Sequence, residues 1–357
     1  METIVTSAQR RQSKTNAIGL EKGEYRGRAS TMCAGCGHDS IASQIIAAAF
    51  DIGLKPEEII KLSGIGCSSK SAAYFLSRSF GLNAVHGRMP SVATGAALAN
   101  RSLLAIGVSG DGDTGNIGLG QFKHVMRRNT PLVYIVENNG VYGLTKGQSS
   151  ATADRGQVAK YYGRNELPAI DLCQEAIISG CGFVARSFAG DPKQVRALLK
   201  AAMSYQGASL LDIVSPCVTF NNLPDSSKSY HWVREHGVPL HDINYVPVQK
   251  DIVVDYQPGE TITVELHDGS LIRLKKLDQD YNPADRSEAV TMLDAAKGGE
   301  ALATGILYYD PDRPSLQEME NLIDSPLVHL AAEQLRPSQA SLIRIMEGMM
   351  GRLGNGD

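Results

Sequence analysis

Two short polar motifs, Gly110-Asp111-Gly112 and Asn138-Asn139, carry side chains that could bind a metal ion and a phosphate group. Each motif follows an apolar run that fits a buried parallel strand, and the carboxyl ends of such strands meet at one edge of a sheet. Magnesium prefers hard oxygen ligands and commonly shares them with phosphate. We therefore predict a magnesium site formed by the Asp111 carboxylate, the Asn139 amide oxygen and the backbone carbonyl of Val141.

The residues around Asp111 also suit an anion. Glycine on either side allows the backbone to approach a phosphate closely. Segment 114–128 has the spacing of a helix, and the first amide groups of a helix can face a phosphate. Alone, a Gly-Asp-Gly motif is usually a tight turn, and an asparagine pair is usually a loop. Their occurrence behind two predicted strands favours a bound magnesium diphosphate.

Length and composition limit the classes of protein to be considered. A chain of 357 residues with 43% hydrophobic content can fill one large α/β domain with extensions, or two domains. A net charge of −3 with 20% charged residues offers no basic patch for nucleic acid. No apolar run approaches the roughly 20 residues that span a bilayer, and the basic N-terminus lacks a following apolar core. We expect a soluble, cytoplasmic protein that binds neither nucleic acid nor membrane.

Four of the six cysteines stand where they could share one metal centre. Cys33 and Cys36 form a CxxC pair, Cys67 lies in a glycine-rich loop behind a predicted strand, and Cys217 follows another apolar run. Four thiolates suit zinc or an iron–sulfur cluster, and sulfur ligands alone do not distinguish the two. Taken singly, the CxxC residues fit a thiol pair or structural zinc, and the others fit small buried residues. The remaining two cysteines are expected in the core: Cys173 and Cys181.

Six sequence blocks follow one another along the chain: CAGCGH at 33–38, GIGCSSK at 64–70, HGRMPSVATG at 86–95, GDGD at 110–113, ENNGVYGLTKGQ at 137–148 and SPCVTFN at 215–221. The spacing of GDG and NN looks like the thiamine diphosphate signature. The six ordered blocks resemble the β subunit of 2-oxoacid:ferredoxin oxidoreductases, most closely the 2-oxoglutarate type. The resemblance runs from about Met32 to Asn221.

The resemblance implies a fold, cofactors and a reaction. The fold is a Rossmann-like, thiamine diphosphate-binding α/β fold with a parallel sheet and helices on both faces. The implied cofactors are thiamine diphosphate, Mg²⁺ and one 4Fe-4S cluster bound by Cys33, Cys36, Cys67 and Cys217. The implied reaction is the reversible, CoA-dependent oxidative decarboxylation of 2-oxoglutarate to succinyl-CoA and CO2, with electrons passing through the cluster to ferredoxin. A pyruvate-type β subunit and a zinc-stabilised binding subunit without redox chemistry are the alternatives.

Two residues are candidates for catalysis. Lys70 follows a cysteine loop, and its ammonium is predicted to hold the substrate carboxylate, whereas a solvated lysine is the alternative. His86 precedes a helix predicted to begin near Ser91 and is expected to contact phosphate or developing negative charge, although a lone histidine commonly has a structural role. The expected contacts to thiamine diphosphate are Gly66, Ser68, His86, Gly110, Asp111, Gly112, Asp113, Asn139, Val141, Gly143 and Leu144.

Two of these contacts have weaker support. Asp113 could simply cap the following helix. The resemblance implies that loop 142–148, with Leu144 and Lys146, closes over the site and sizes the substrate pocket. Surface loops also carry lysines for no functional reason, so a pocket role for Lys146 is an expectation only.

The residues make one diphosphate-binding domain and no second domain with the glutamate that activates thiamine. We therefore expect an α subunit of the same enzyme to complete the site, in an αβ unit that pairs into an α2β2 heterotetramer. Ferredoxin, a 2-oxoacid and coenzyme A are the other expected partners. Without the α subunit, the chain should bind little thiamine diphosphate productively.

The chain divides into three predicted segments. Residues 1–30 are expected to form an N-terminal arm across the partner, and residues 31–222 the domain that binds thiamine diphosphate and the 4Fe-4S cluster. Residues 223–357 are expected to form a partner-facing C-terminal extension. Within it, 260–266 and 270–274 predict a β-hairpin, and 337–353 predicts an amphipathic helix that is a packed tail or an interface helix.

Overall fold

The computed structural model describes residues 15–246, 261–265, 271–276, 281–296 and 301–353. The strands in these residues are β1 (Ile59–Ser63), β2 (Phe80–Asn83), β3 (Leu104–Gly110), β4 (Leu132–Asn138), β5 (Val141–Tyr142), β6 (Gln148–Ser149), β7 (Val158–Ala159), β8 (Gly163–Arg164), β9 (Phe183–Phe188), β10 (Ala208–Val214), β11 (Gly237–Pro239), β12 (His241–Val246), β13 (Thr261–Glu265), β14 (Leu271–Lys276) and β15 (Leu302–Tyr309).

The helices alternate with the strands along most of the chain. They are α1 (Gly37–Asp51), α2 (Cys67–Ser71), α3 (Met89–Ala99), α4 (Leu119–Arg127), α5 (Leu172–Ile178), α6 (Pro192–Ser204), α7 (Tyr230–His236), α8 (Arg286–Ala296), α9 (Leu316–Met319), α10 (Ala332–Leu335) and α11 (Gln339–Leu353). Short 3-10 helices cover Lys22–Tyr25, Pro56–Glu58 and Leu327–His329. None of the helices in the described part of the chain is long and apolar enough to cross a bilayer.

The main sheet has eight strands in the order β11-β15-β9-β10-β4-β3-β1-β2. The strands from β9 to β2 in this order are parallel neighbours, and β15 runs antiparallel to β9. Every residue of β4 and β10 is buried, because helices cover both faces of the sheet. The predicted α/β fold with helices on both faces is confirmed, and the antiparallel edge pair makes the sheet mostly rather than wholly parallel.

Two apolar cores lie on opposite faces of this sheet. One contains Ile41 and Ile45 of α1 with Leu198 and Leu199 of α6. The other contains apolar side chains of α3, α4, α5 and α8, for example Phe122 of α4. The two expected core cysteines are fully buried in this second core: Cys173 and Cys181. The sheet is therefore packed between two helical layers, which hold the carboxyl ends of its strands in place.

The predicted helix 114–128 is interrupted. A π-helical turn covers Asp113–Ile117, and α4 begins only at Leu119. The interruption occurs at Gly118, whose backbone lies against Gly87: a Cβ added to Gly118 would be 2.9 Å from Gly87 Cα. Side chains at either position would separate the two segments. The break in the helix thus brings the loop that carries His86 beside the Gly-Asp-Gly loop.

Part of the predicted N-terminal arm packs on its own domain. The Tyr25 side chain is fully buried in the core that contains α1, and its hydroxyl donates a hydrogen bond to Leu54 O at 2.6 Å. Asn16 Nδ2 donates to the Tyr25 hydroxyl at 2.7 Å. Residues 1–14 of the predicted arm lie outside the described residues.

The segment after residue 222 contributes to the main sheet as well as extending from it. β11 and β15 form its far edge, and α8 packs on β15. The predicted hairpin strands are confirmed as the antiparallel pair β13 and β14, and β12 pairs with the other side of β14. The terminal helix is also confirmed, as α11. The apolar side chains predicted for one face of α11 are 47–63% exposed: Leu342, Ile345, Met346 and Met349. The helix is therefore not packed on its own domain as a tail. That it is an interface helix stays a prediction.

Candidate functional site

A cavity of about 300 Å³ lies at the carboxyl edge of the sheet, where the loops after β1, β3 and β4 meet. Parallel strands deliver their following loops to this edge, so residues distant in sequence converge there. All the residues predicted to contact thiamine diphosphate are in its lining: Gly66, Ser68, His86, Gly110, Asp111, Gly112, Asp113, Asn139, Val141, Gly143 and Leu144. His38, Cys67 and Tyr142 are among the further lining residues.

Asp111 is the most strongly enclosed acid of the cavity, with 1% of its surface exposed. Its Oδ1 accepts a hydrogen bond from the Asn139 backbone N–H at 3.3 Å. Its Oδ2 accepts from the Ser150 hydroxyl and, at 2.6 Å, from the Thr152 hydroxyl. Burial raises the pKa of Asp111, and the bonds from Ser150, Thr152 and Asn139 oppose that rise. The Lys228 ammonium also opposes the rise, and a buried carboxyl whose own hydrogen bonds come only from neutral donors is a favourable place for a cation.

Asn139 is held by its own turn. Its side-chain Oδ1 accepts a hydrogen bond from Val141 N–H at 3.0 Å, and its backbone carbonyl accepts from Asn221 Nδ2 at 2.8 Å. The turn passes through Gly140 at φ +71°, where a Cβ would lie 2.7 Å from Asn221 Nδ2. Only glycine fits this left-handed position next to Asn221, so the sequence Asn-Asn-Gly fixes the direction of the Asn139 side chain.

Asp113 ties three loops together. Its Oδ1 accepts from Gly87 N–H at 2.7 Å, and its Oδ2 accepts from the Ser109 hydroxyl at 2.9 Å and from Ile65 N–H at 3.3 Å. Gly87 lies in the loop after β2, Ser109 near the end of β3 and Ile65 in the loop after β1. Asp113 therefore holds the cavity walls together and does not cap the helix. Its contact with the cofactor stays a prediction. His86, next to Gly87, is exposed and faces the cavity rim.

Lys70 directly follows Ser69, which lines the cavity, but is not itself among the lining residues that the structure describes. It is half-buried in α2. Its ammonium lies close enough to Cys67 to oppose the rise in that thiol's pKa. The chain thus places Lys70 beside the cysteines, and a contact with substrate would require the substrate to reach beyond the present cavity.

The four selected cysteines converge next to the cavity. Burial raises the pKa of the Cys36 thiol to about 12, and nearby Cys217 and Cys67 add to the rise. Burial also raises the pKa of Cys67, with contributions from Cys217 and Cys33. A Cβ added to Gly143 would lie 3.4 Å from Cys67 Sγ and 3.7 Å from Cys217 Sγ. All four are free thiols, and Cys67 lines the cavity, so the cysteines and the cavity share a wall.

The closeness of these side chains does not by itself show that they bind a metal. Among the described residues, no group of three or more His, Cys, Asp or Glu side chains has the spacing of a metal site. The donor sets nevertheless fit the predicted groups in kind. Hard oxygens at Asp111 and Asn139 suit Mg²⁺, and four neighbouring free thiols suit an iron–sulfur cluster or zinc.

A buried polar pair that the sequence did not predict lies behind both regions. Glu137 is fully buried at the end of β4, and His38 at the start of α1 is 2% exposed. His38 Nε2 is 3.7 Å from Glu137 Oε2, and His38 Nδ1 is 2.6 Å from the Ser215 hydroxyl. Burial raises the pKa of Glu137 well above its usual value and lowers that of His38 to about 4. His38 is therefore neutral near pH 7, and burial disfavours the ionised form of Glu137.

Comparison with known proteins shows the family to which this chain belongs. Residues 64–213 match the thiamine pyrophosphate enzyme, C-terminal TPP binding domain. The 2-oxoacid:ferredoxin oxidoreductase subunit beta of a Sulfolobus species is 40% identical over 192 residues, which are 54% of this chain and 63% of that protein. The 2-oxoglutarate synthase subunit KorB of Methanocaldococcus jannaschii is 37% identical over 242 residues, 65% of this chain and 87% of that protein. The chain belongs to the 2-oxoacid:ferredoxin oxidoreductase β-subunit family.

A solved structure supports the same assignment. The 2-oxoglutarate:ferredoxin oxidoreductase from Magnetococcus marinus, with 2-oxoglutarate, coenzyme A and succinyl-CoA bound, matches with a TM-score of 0.68 and 28% identity. The match covers 85% of this chain and 89% of that chain. Both the family resemblance and the thiamine diphosphate-binding fold predicted from the sequence are confirmed.

Within this family, the sequence blocks pointed to most of the cavity wall but missed residues that act through side-chain contacts. Ser150 and Thr152 follow the block at 137–148 by a few positions and contact Asp111. The only signal for them is a short run of small, mostly polar residues, Ser149 to Thr152, directly after the loop. His38 and Glu137 lie inside recognised blocks, but the sequence offered no reason to pair them.

Proposed function

We propose that this chain is the β subunit of a 2-oxoglutarate:ferredoxin oxidoreductase. The proposed reaction is the reversible, CoA-dependent oxidative decarboxylation of 2-oxoglutarate to succinyl-CoA and CO2, with electrons leaving for ferredoxin. The observation that carries the proposal is the shared wall between the cavity and the four cysteines, formed by Cys67. A cofactor cavity and a thiol cluster in contact suit a reaction that makes electrons at one centre and removes them through the other.

The cavity residues have proposed roles at the diphosphate end of the cofactor. Asp111, Asn139 and the Val141 carbonyl would hold Mg²⁺, and Gly110 and Gly112 would let the backbone approach the diphosphate. Thiamine diphosphate, when bound, supplies the electron sink that makes decarboxylation possible. The chain itself supplies a buried, rigid site from which water is largely excluded, since Asp111 and Asn139 are 1% and 5% exposed.

The cysteines have a proposed role in electron transfer. Cys33, Cys36, Cys67 and Cys217 would bind one 4Fe-4S cluster, whose potential depends on burial and on hydrogen bonds to the sulfurs. Cys33 is exposed, and the other three are partly buried. The exposed side at Cys33, where the Thr219 hydroxyl lies 3.5 Å from Cys33 Sγ, is the direction from which ferredoxin would take electrons.

The proposal includes an α subunit. Several relatives are named as β subunits, and the recognised residues make one diphosphate-binding domain. The α subunit would supply the glutamate that activates thiamine and would complete the pocket for the 2-oxoacid and coenzyme A. An α2β2 assembly in the cytoplasm is the arrangement that we propose.

The choice of 2-oxoglutarate is supported by the relatives named 2-oxoglutarate synthase and by the similar solved structure with 2-oxoglutarate bound. Lys70, outside the cavity lining, is the proposed partner of the second carboxylate of this substrate, which would have to extend beyond the cavity. Leu144 on the loop over the cavity would set the pocket size. Pyruvate lacks that second carboxylate. A pyruvate-type β subunit, whose substrate would make no such contact, is the alternative within the family.

The test uses the assembled complex, purified without oxygen together with its α subunit. We expect CoA-dependent reduction of ferredoxin with 2-oxoglutarate to exceed that with pyruvate. Equal or faster reaction with pyruvate would overturn the substrate assignment. The absorption spectrum of the same sample tests the redox assignment, because an iron–sulfur cluster absorbs broadly at about 400 nm and a zinc site does not.

A further inference from the structure

Four buried polar side chains meet beside the cavity and the cysteines. They are His38, Ser71, Glu137 and Ser215, named here the Glu137 hub. All four are 0–2% exposed. The Ser71 hydroxyl donates to Glu137 Oε2 at 2.8 Å, His38 Nε2 is 3.7 Å from the same oxygen, and His38 Nδ1 is 2.6 Å from the Ser215 hydroxyl.

Each member of the hub lies on a segment that carries a predicted ligand. His38 lies two positions after Cys36, Ser71 four positions after Cys67, and Ser215 two positions before Cys217. Glu137 is the penultimate residue of β4, immediately before the Asn138-Asn139 pair. The hub contacts therefore join the three cysteine-bearing segments to the strand that delivers Asn139.

Backbone bonds reinforce these joins. Ser215 N–H donates to Asn138 O at 2.7 Å, and Gly37 N–H donates to Pro216 O at 3.3 Å. The Gly37 position admits no side chain, because a Cβ there would lie 2.5 Å from Ser215 Oγ. The start of α1 and the segment after β10 are thus packed backbone against backbone, directly beside Cys36 and Cys217.

Glu137 is an unusual residue to bury for packing alone. Its Oε1 is enclosed and has no hydrogen-bond partner among the described residues. An apolar side chain at this position would avoid that unsatisfied oxygen but would also remove the acceptor for Ser71 and the contact with His38. The geometry favours a carboxyl whose task is to hold the cysteine-bearing segments.

We propose that Glu137 is a positioning residue for the four-cysteine centre, acting through Ser71, His38 and Ser215 on the backbone segments of Cys67, Cys36 and Cys217. The inference rests on the proposed function in that these cysteines bind one inorganic centre. Residues that orient metal ligands in this way commonly change metal affinity by about 10-fold to 100-fold when they are replaced.

The test uses the full chain, assembled with its α subunit and purified without oxygen, in four variants. Glu137→Leu removes the acceptor, and Glu137→Gln keeps an oxygen for Ser71. Ser71→Ala removes one donor of the hub. Ser209→Ala is the matched control, since Ser209 is equally buried on β10 and, among the described residues, its hydroxyl bonds only to Leu132 O and Ala202 O. Iron, sulfide and zinc are measured, with the rate of metal loss to a chelator and the thermal midpoint.

We expect Glu137→Leu to lose its metal at least about 10-fold faster than wild type, and Ser71→Ala to lie between them. Glu137→Gln should restore retention toward wild type, with a changed EPR spectrum of the reduced cluster. Ser209→Ala should match wild type in both readouts. Equal metal loss in Glu137→Leu and in Ser209→Ala, or loss that only follows a lowered thermal midpoint, would overturn the positioning role.

The wild-type sample separates this inference from the proposed function. Zinc in place of iron and sulfide would reject the electron-transfer role, and the variants would still report whether the hub retains the bound metal. A wild-type complex with neither iron nor zinc would overturn both proposals.

Discussion

Thr152 is expected to set the affinity of the cavity for magnesium thiamine diphosphate, although it lies outside the recognised sequence blocks. Its hydroxyl is 2.6 Å from Asp111 Oδ2 and 2.7 Å from Asn138 Oδ1, and the side chain is 2% exposed. A hydroxyl has one proton, so it can donate to only one of these acceptors at a time. Asn138 cannot be turned to donate instead, because its Nδ2 already donates to Asp212 Oδ1 at 2.9 Å. When Asp111 is ionised to bind a cation, the Thr152 proton is needed there.

The perturbation is Thr152→Val, which keeps the shape of the side chain and removes the hydroxyl. A hydrogen bond to a charged group contributes about 1.5 to 3 kcal/mol. Since 1.4 kcal/mol corresponds to a factor of ten in a binding constant, affinity for the magnesium cofactor should fall by about 10-fold to 100-fold. Ser150 still donates to Asp111 Oδ2, so binding should weaken and not vanish.

The dissociation constant is measured by isothermal titration calorimetry, with thiamine diphosphate titrated into the assembled complex in the presence of Mg²⁺. Thr152→Ser should recover most of the affinity, because it restores the hydroxyl. Thr304→Val is the matched control, since Thr304 is also buried but lies on β15, at the far side of the sheet. Wild-type affinity in Thr152→Val, or equal weakening in Thr304→Val, would refute the reasoning.

Three further predictions follow from the same geometry. Asp111→Ala should abolish retention of thiamine diphosphate, measured as cofactor per chain after desalting, and unchanged content would remove Asp111 from the magnesium site. Cys217→Ala should cost the complex its iron, while Cys181→Ala, in the core, should keep the iron and lower only the thermal midpoint; full iron in Cys217→Ala would contradict the ligand assignment. Burial lowers the pKa of His38 to about 4 from 6.5, so its contribution to stability is present above pH 6.5 and is lost as pH falls toward 4. Relative to His38→Gln, wild type should lose about 3 kcal/mol of unfolding free energy over that interval, and parallel pH profiles of the two proteins would contradict this prediction.

The local sequence was sufficient to predict the central elements of the fold. The apolar runs before Gly110 and Asn138 became β3 and β4, buried on both faces as their composition requires. The strand ends then placed the Gly-Asp-Gly and Asn-Asn motifs at one edge of the sheet. These features depend on residues close together in the chain, which is why periodicity and turn chemistry find them.

Other elements could not be predicted in this way. β11 and β15 complete the main sheet from a segment whose sequence showed no alternating pattern of strands and helices. Tyr25 belongs to the core, although the polar segment around it predicted an arm. A single buried side chain in a polar segment has no periodic signal, because its environment is supplied by α1 and by residues from elsewhere in the chain.

The sequence by itself determined the chemistry available to this protein: two oxygen donors behind strands, glycines that admit a diphosphate, and four cysteines in short motifs. The tertiary structure decided which of these groups meet. It brought Thr152 to Asp111 across 41 positions and His38 to Ser215 across 177, placed Lys70 beside the cysteines and left His86 at the cavity rim. Such contacts depend on how the sheet and its two helical layers pack, and burial then sets the hydrogen bonds and the pKa values of the groups enclosed.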